Sequence, residues 1–188
     1  MATPQVRSSW TKFVIAHAKA AQEPQRTQLL SALAPLRATI REAGLISWVD
    51  AGVHAQVCAR LVAGVGEAAA LEFWAELLVE AAVKSLLKPI VGTALALHGR
   101  EPASLVRNGP RVWPLVTRDC GTLAVDTKNE RRATLSFEGL PEKLRTLPVL
   151  ICLQGSILGC ARAVDMSGRC LRDASLLGDG SARITLSW

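Results

Sequence analysis

Residues 178–188, GDGSARITLSW, constrain this chain more than any other stretch. Ala182, Ile184, Leu186 and Trp188 alternate with Ser181, Arg183, Thr185 and Ser187, the period-two pattern of a strand with one buried face. The Gly178-Asp179-Gly180 turn before it signals a hairpin with an earlier strand. A strand with one apolar face needs partners and a layer to cover it. The segment therefore predicts an antiparallel sheet with Trp188 held against its core rather than fraying.

The residues upstream supply the rest of that sheet. TLAVD and RATLSF alternate on either side of the polar TKNE and read as a first hairpin. PVLICLQGSILGCARAVD, 148–165, is too long and too evenly apolar for a strand and reads as a buried helix. The MSG turn leads to a strand near 169–176, so the order over 119–188 is β-β-α-β-β. Residues 1–118 read as mostly helical. Trp10, Phe13, Val14, His17, Ala18 and Ala21 follow helical spacing, and a second helix from Gln25 is broken at Pro35. SWVD at 47–50 has the form of an N-cap for a helix through Val49, Val53, Val57 and Leu61. Residues 67–88 form a further helix with Leu71, Trp74, Leu78 and Ala82 on one side, and Pro89 and Gly99 bracket another. The prediction is one α+β domain, 1–188, with an N-terminal helical layer packed on a four-stranded antiparallel sheet.

Composition narrows the class. A chain of 188 residues that is 49% apolar buries a real core without staples, and five Trp among three Phe and no Tyr act as packing anchors. No run of roughly 18 apolar residues occurs, so no membrane span is predicted. MATPQVRSSWTKF has no signal-peptide hydrophobic region. Cys58, Cys120, Cys152, Cys160 and Cys170 are odd in number and form no C-x-x-C pair, which suits buried thiols in a reducing, cytoplasmic setting. The net charge of +6 is spread evenly: residues 1–100 carry 10 Lys/Arg against 7 Asp/Glu, and residues 101–188 carry 12 against 9. A basic nucleic-acid-associated protein is thus a distant alternative, because no stripe of basic and stacking residues is present.

The chemistry-bearing motifs are few. His54 and Cys58, four apart on one helix, could share a metal, but two ligands do not make a site. The sequence reading therefore assigns no metal and no cofactor, and keeps a metal protein or enzyme built on His54 and Cys58 as its alternative. No nucleophile–base–orienter set is visible, and His17 and His98 each stand alone. GVGEA at 64–68 lacks the Lys and Ser/Thr of a phosphate loop and reads as a turn between helices. Gly155 and Gly159 mark a helix face that another backbone, or a ligand, can approach closely.

The segments LHGREPASLVRNGPRVWPLVTRDCGTLAVD, RRATLSFEGLP, CLQGSILGCARAV and GDGSARITLSW, over about residues 95–188, resemble the vinyl-reductase-type small-molecule-binding domain. That domain is a relative of haem–nitric-oxide-binding domains. Over its whole length, including ISWVDAGVHAQV, the chain is similar to a paralogous family of myxobacterial proteins, which implies a bacterial source. The resemblance implies a ligand-binding, regulatory domain. It also implies two departures. Val112 and Trp113 stand where haem-binding relatives carry an axial His, so haem is not expected. Cys170 matches the first of two Cys that some vinyl-reductase-type domains place around the final hairpin, while Ala182 replaces the second.

The expected function is a non-catalytic, cytoplasmic binding or sensory-regulatory module. It is expected to form a homodimer, to act on an unidentified protein partner, and to hold a small hydrophobic ligand between helices and sheet. His54, Cys58, Trp74, Trp113, Gly155 and Gly159 are the candidate pocket residues.

Overall fold

The structure, a computed structural model, describes residues 3–44, 47–84, 88–129 and 131–188. The side chain of His98, the turn residue Glu130 and the end of the predicted 67–88 helix at 85–87 lie outside that description.

The described chain opens with a short strand, β1 (Gln5–Arg7), followed by helices α1 (Ser8–Ala20), α2 (Gln25–Leu33) and α3 (Arg37–Glu42). A 3-10 turn at Ala34–Leu36 separates α2 from α3, where Pro35 interrupts the helix. Next come β2 (Trp48–Asp50), α4 (Ala51–Val65), α5 (Glu67–Lys84), α6 (Lys88–His98), α7 (Pro102–Val106) and α8 (Gly109–Val116). β3 (Thr117–Arg118) completes a small sheet in the order β2-β1-β3, with Val6 opposite Val49 and Thr117. That sheet is a correction to the sequence reading. Trp48 to Asp50 form a strand, and the cap of α4 is Asp50, whose Oδ1 accepts from Gly52 N at 2.7 Å. Strands this short carry too few alternations to show a period.

The second sheet is the predicted one. β4 (Thr122–Asn129), β5 (Arg132–Glu138), β6 (Arg169–Asp173) and β7 (Ala182–Ser187) pair antiparallel in the order β4-β5-β7-β6. Register places Leu135 opposite Ile184 and Cys170 opposite Leu186. Ala133, Leu135, Phe137, Ala182, Ile184 and Leu186 form its buried face. Trp188 is half-buried at the rim of that cluster, and its backbone N–H donates to the Arg131 carbonyl.

Helix α9 (Leu147–Arg162) covers this face, and α5 packs on its far side. Covered from both directions, α9 buries four consecutive residues, Val149 to Cys152. The α+β architecture is as predicted, and α9 joins its two cores. Val149 and Cys152 belong to the helical core with Leu61, Phe73 and Trp74, while Leu150, Ile157 and Ala161 belong to the sheet core. Buried Gln154 ties α9 to β6 by donating to the Cys170 carbonyl at 2.7 Å. Arg172 of β6 in turn pairs with Gln154 and with Glu67 of α5. No described helix is long and apolar enough to cross a membrane.

The approach of α9 to α5 requires glycine. A Cβ on Gly155 would lie 2.4 Å from the Leu71 carbonyl oxygen, and one on Gly159 2.7 Å from that of Ala75. Both obstacles are backbone and cannot swing aside.

Two outcomes follow for stability. Gly155→Ala should cost about 1–3 kcal/mol or more in denaturant unfolding. Gly92→Ala, in α6 with open space around it, should instead stabilise by about 0.5–1 kcal/mol. On the terminal strand, Leu186→Ala should cost about 2–5 kcal/mol. Half-buried Trp188→Ala should lower Tm by less, and exposed Ser187→Ala should leave it near the parent value.

Candidate functional site

The amphipathic helix α4 begins at Asp50, whose carboxylate both caps the helix and binds Lys143 at 2.7 Å. The hydrogen bond from Lys143 holds the Asp50 carboxyl below its usual range, aided by the Gly52 N–H and against partial burial. On the buried side of α4, Val57 and Leu61 enter the helical core, and His54 and Cys58 lie one turn apart beside them. Cys152 of α9 comes to the same place from the other side. His54 Nε2 is 3.7 Å from Cys58 Sγ and 3.8 Å from Cys152 Sγ. The three ligand-capable atoms lie within 4.8 Å of one another, and all three residues are buried.

This environment separates the two thiols. Burial pushes the Cys58 thiol up, but a hydrogen bond with Cys152 and the charge and hydrogen bond of His54 outweigh it and hold Cys58 at about 5. Burial and the bond with Cys58 push Cys152 well above the ordinary thiol value. Burial works against the charge on His54, yet the Cys58 thiolate raises the imidazole above its usual value. Two buried nitrogens nearby, His54 Nδ1 and Trp74 Nε1, find no hydrogen-bond partner among the described residues. Their rings meet edge to face with centroids 5.8 Å apart.

The cluster borders a cavity of about 210 Å³ between α5–α9 and the β4–β5 hairpin. Its wall is mostly aliphatic and aromatic, with Leu78, Val91, Val112, Leu123, Phe137 and Ile157 among the lining residues. His54, Cys152 and Cys160 also line it, with Asn108, Thr117 and Ser156 as further polar residues. Trp113 forms part of the wall, stacked edge to face on Phe137 at 5.3 Å, with its indole N–H donating to the Gly121 carbonyl at 3.2 Å.

Of the six candidate pocket residues, His54 and Trp113 line the cavity. The other four lie elsewhere. Cys58 lies behind His54 in the cluster, and Trp74 is wholly buried in the helical core. Gly155 and Gly159 are occupied by the backbone of α5, not by open volume. In the sequence His54 and Cys58 are an isolated pair, and the fold adds Cys152 to them. That residue lies 98 positions from His54, and a single Cys in an apolar helix looks like packing. The available signal was its position three and seven residues before Gly155 and Gly159, on the same helical stripe.

No family model matches the chain, and no curated protein matches it. Solved structures do. A variant H-NOX protein from K. algicida, in the unliganded Fe(II) form, superposes with a TM-score of 0.65 at 8% identity, covering 96% of this chain and 95% of that one. An H-NOX structure from work on haem distortion gives 0.61 at 10% identity, covering 96% and 92%. A Cs H-NOX variant carrying 4-cyano-L-phenylalanine gives 0.58 at 11% identity, covering 96% and 94%. The fold is therefore H-NOX-like, with β-β-α-β-β as its C-terminal half.

Haem does not fit the residues present. His54 is the imidazole on the described cavity wall, and its Nε2 already faces two sulfurs. Among the described residues no Lys or Arg lines the cavity to receive the two carboxylates of a haem, and a buried carboxylate without a partner is costly. Mixing the purified protein with haemin should accordingly give no sharp Soret band of axially ligated iron.

Proposed function

We propose that this chain is a non-catalytic ligand-binding module of sensory-regulatory type, which takes a small, mainly apolar molecule into the cavity behind Trp113. The observation that carries this reading is the cavity itself. Ligand pockets combine an apolar lining with a few placed polar groups, and here those are His54, Asn108, Thr117 and Ser156. An apolar cavity of about 150 Å³ suffices for benzene, so about 210 Å³ suits a single ring or a short branched chain. The H-NOX-like fold supports the same reading, since its neighbours are haem-binding domains by description. The vinyl-reductase-type resemblance of residues 95–188 supports it too.

The enzyme alternative has one point in its favour, the Cys58–His54 contact. A thiol–imidazole pair works as nucleophile and base when a third group orients the base. His54 Nδ1 has no such partner among the described residues, which favours binding over turnover. A module without turnover signals through contact, so the reading includes a protein partner and self-association in the cytoplasm. β6 at the sheet edge, with Leu171 about half exposed, suits such contacts.

Native mass spectrometry of freshly purified protein should show a dimer carrying a small retained molecule. Added small aromatics, from benzene to indole, should raise Tm, by up to about 2.7 kcal/mol of stabilisation at a hundredfold excess over Kd. Ala94→Phe, which places a ring in the cavity from α6, should abolish that rise while leaving the protein folded. Parent protein with neither retained mass nor any thermal shift would overturn the reading.

A further inference from the structure

The proposed cavity ligand leaves the three buried groups beside it unexplained. One imidazole nitrogen has a single lone pair when neutral and a single hydrogen when protonated. It can satisfy one sulfur by a good hydrogen bond, not two. Yet His54 Nε2 sits nearly equidistant from Cys58 Sγ and Cys152 Sγ, at 3.7 and 3.8 Å. Such a set is the arrangement of atoms around a common centre.

Coordination chemistry gives the scale. With Zn–S of about 2.3 Å and Zn–N of about 2.0 Å in a tetrahedron, sulfur and nitrogen ligands lie roughly 3.6 Å apart and two sulfurs roughly 3.8 Å apart. The observed separations match the first value to within about 0.2 Å, and the whole set lies within 4.8 Å. Charge agrees as well. Two thiolates and a neutral imidazole balance one divalent cation, so the occupied site is neutral and can stay buried among Trp74, Val57 and Val149.

We propose that His54, Cys58 and Cys152 bind a thiophilic divalent metal ion, zinc above all, as a three-ligand site at the cavity wall. Its fourth position is open: no further His, Cys, Asp or Glu joins the set among the described residues. A site with three protein ligands and an open position takes a water or a small exogenous donor. Because His54 and Cys152 line the cavity, that donor comes from there. Binding follows M²⁺ plus two thiols, giving the neutral complex and two released protons. The count is the same whether Cys58 and His54 start as thiol and imidazole or as an ion pair. This inference stands on the cluster alone and holds whether or not the cavity takes an apolar ligand.

The test uses the full chain, reduced, metal-stripped and kept anaerobic, titrated with Co(II). One equivalent should produce the strong visible bands of tetrahedral cobalt and a near-ultraviolet sulfur-to-cobalt charge-transfer band. Zinc should bleach both with one-to-one stoichiometry, and weakly buffered solution should register two protons per metal. Cys58→Ser and Cys152→Ser should each remove about half of the charge-transfer intensity. His54→Ala should lower Co(II) affinity at least about tenfold. Cys170→Ser, on β6 away from the cluster, should leave the spectrum unchanged. Absence of the bands in the parent protein, or bands that persist unaltered in Cys152→Ser, would overturn the proposal. The parent titration decides by itself if a variant fails to fold.

Discussion

The distance between α9 and α5 sets most of what this molecule can do. Gly155 and Gly159 allow the α5 carbonyls of Leu71 and Ala75 to press against the backbone of α9. No other residue type fits there without moving one helix off the other. That contact fixes the height of α9 above the sheet, and so the fit of Ile157 and Ala161 against the β5 and β7 side chains. It also fixes Cys152, one turn earlier on the same stripe, where it meets α4. The glycines thus shape the site from a distance, through the helix that carries one of its groups.

α9 then works as a wall with two different faces. Toward the sheet it is aliphatic and closes an ordinary core. Toward α4 and the cavity it presents Cys152, Ser156 and Cys160. The buried polar groups on that side are incompletely satisfied by the protein, as the partnerless His54 Nδ1 and Trp74 Nε1 show. Buried polar atoms are nearly always paired. Two orphaned nitrogens on touching rings, beside a cavity, are where an added molecule or ion gains most.

An H-NOX-like fold with a wall unsuited to haem shows how a scaffold and its ligand chemistry separate. Trp113 and Phe137 meet edge to face on the cavity wall, and cationic side chains are missing from the described wall. The cavity is apolar and bordered by the sulfurs of Cys152 and Cys160. These features favour an uncharged guest and a thiophilic metal over a dianionic tetrapyrrole.

The sequence by itself determined the local pieces. Alternation in 122–138 and 182–188 dictated the hairpin strands, and an unbroken apolar run dictated α9, because burial periodicity is written in consecutive residues. The turn glycines were legible for the same reason: Gly66 and Gly99 carry positive φ where helices end. The three-residue strands Gln5–Arg7 and Trp48–Asp50 were not legible, since Val6 finds its partners in Val49 and Thr117, both far away in the chain. The site followed that division. His54 and Cys58 could be read as neighbours because one helical turn joins them. Only the tertiary structure brought Cys152 to them, assigned Gly155 and Gly159 to helix contact, and opened a cavity behind Trp113. Those outcomes depend on how α4, α5 and α9 meet, and no local pattern encodes the distance between elements far apart in the chain.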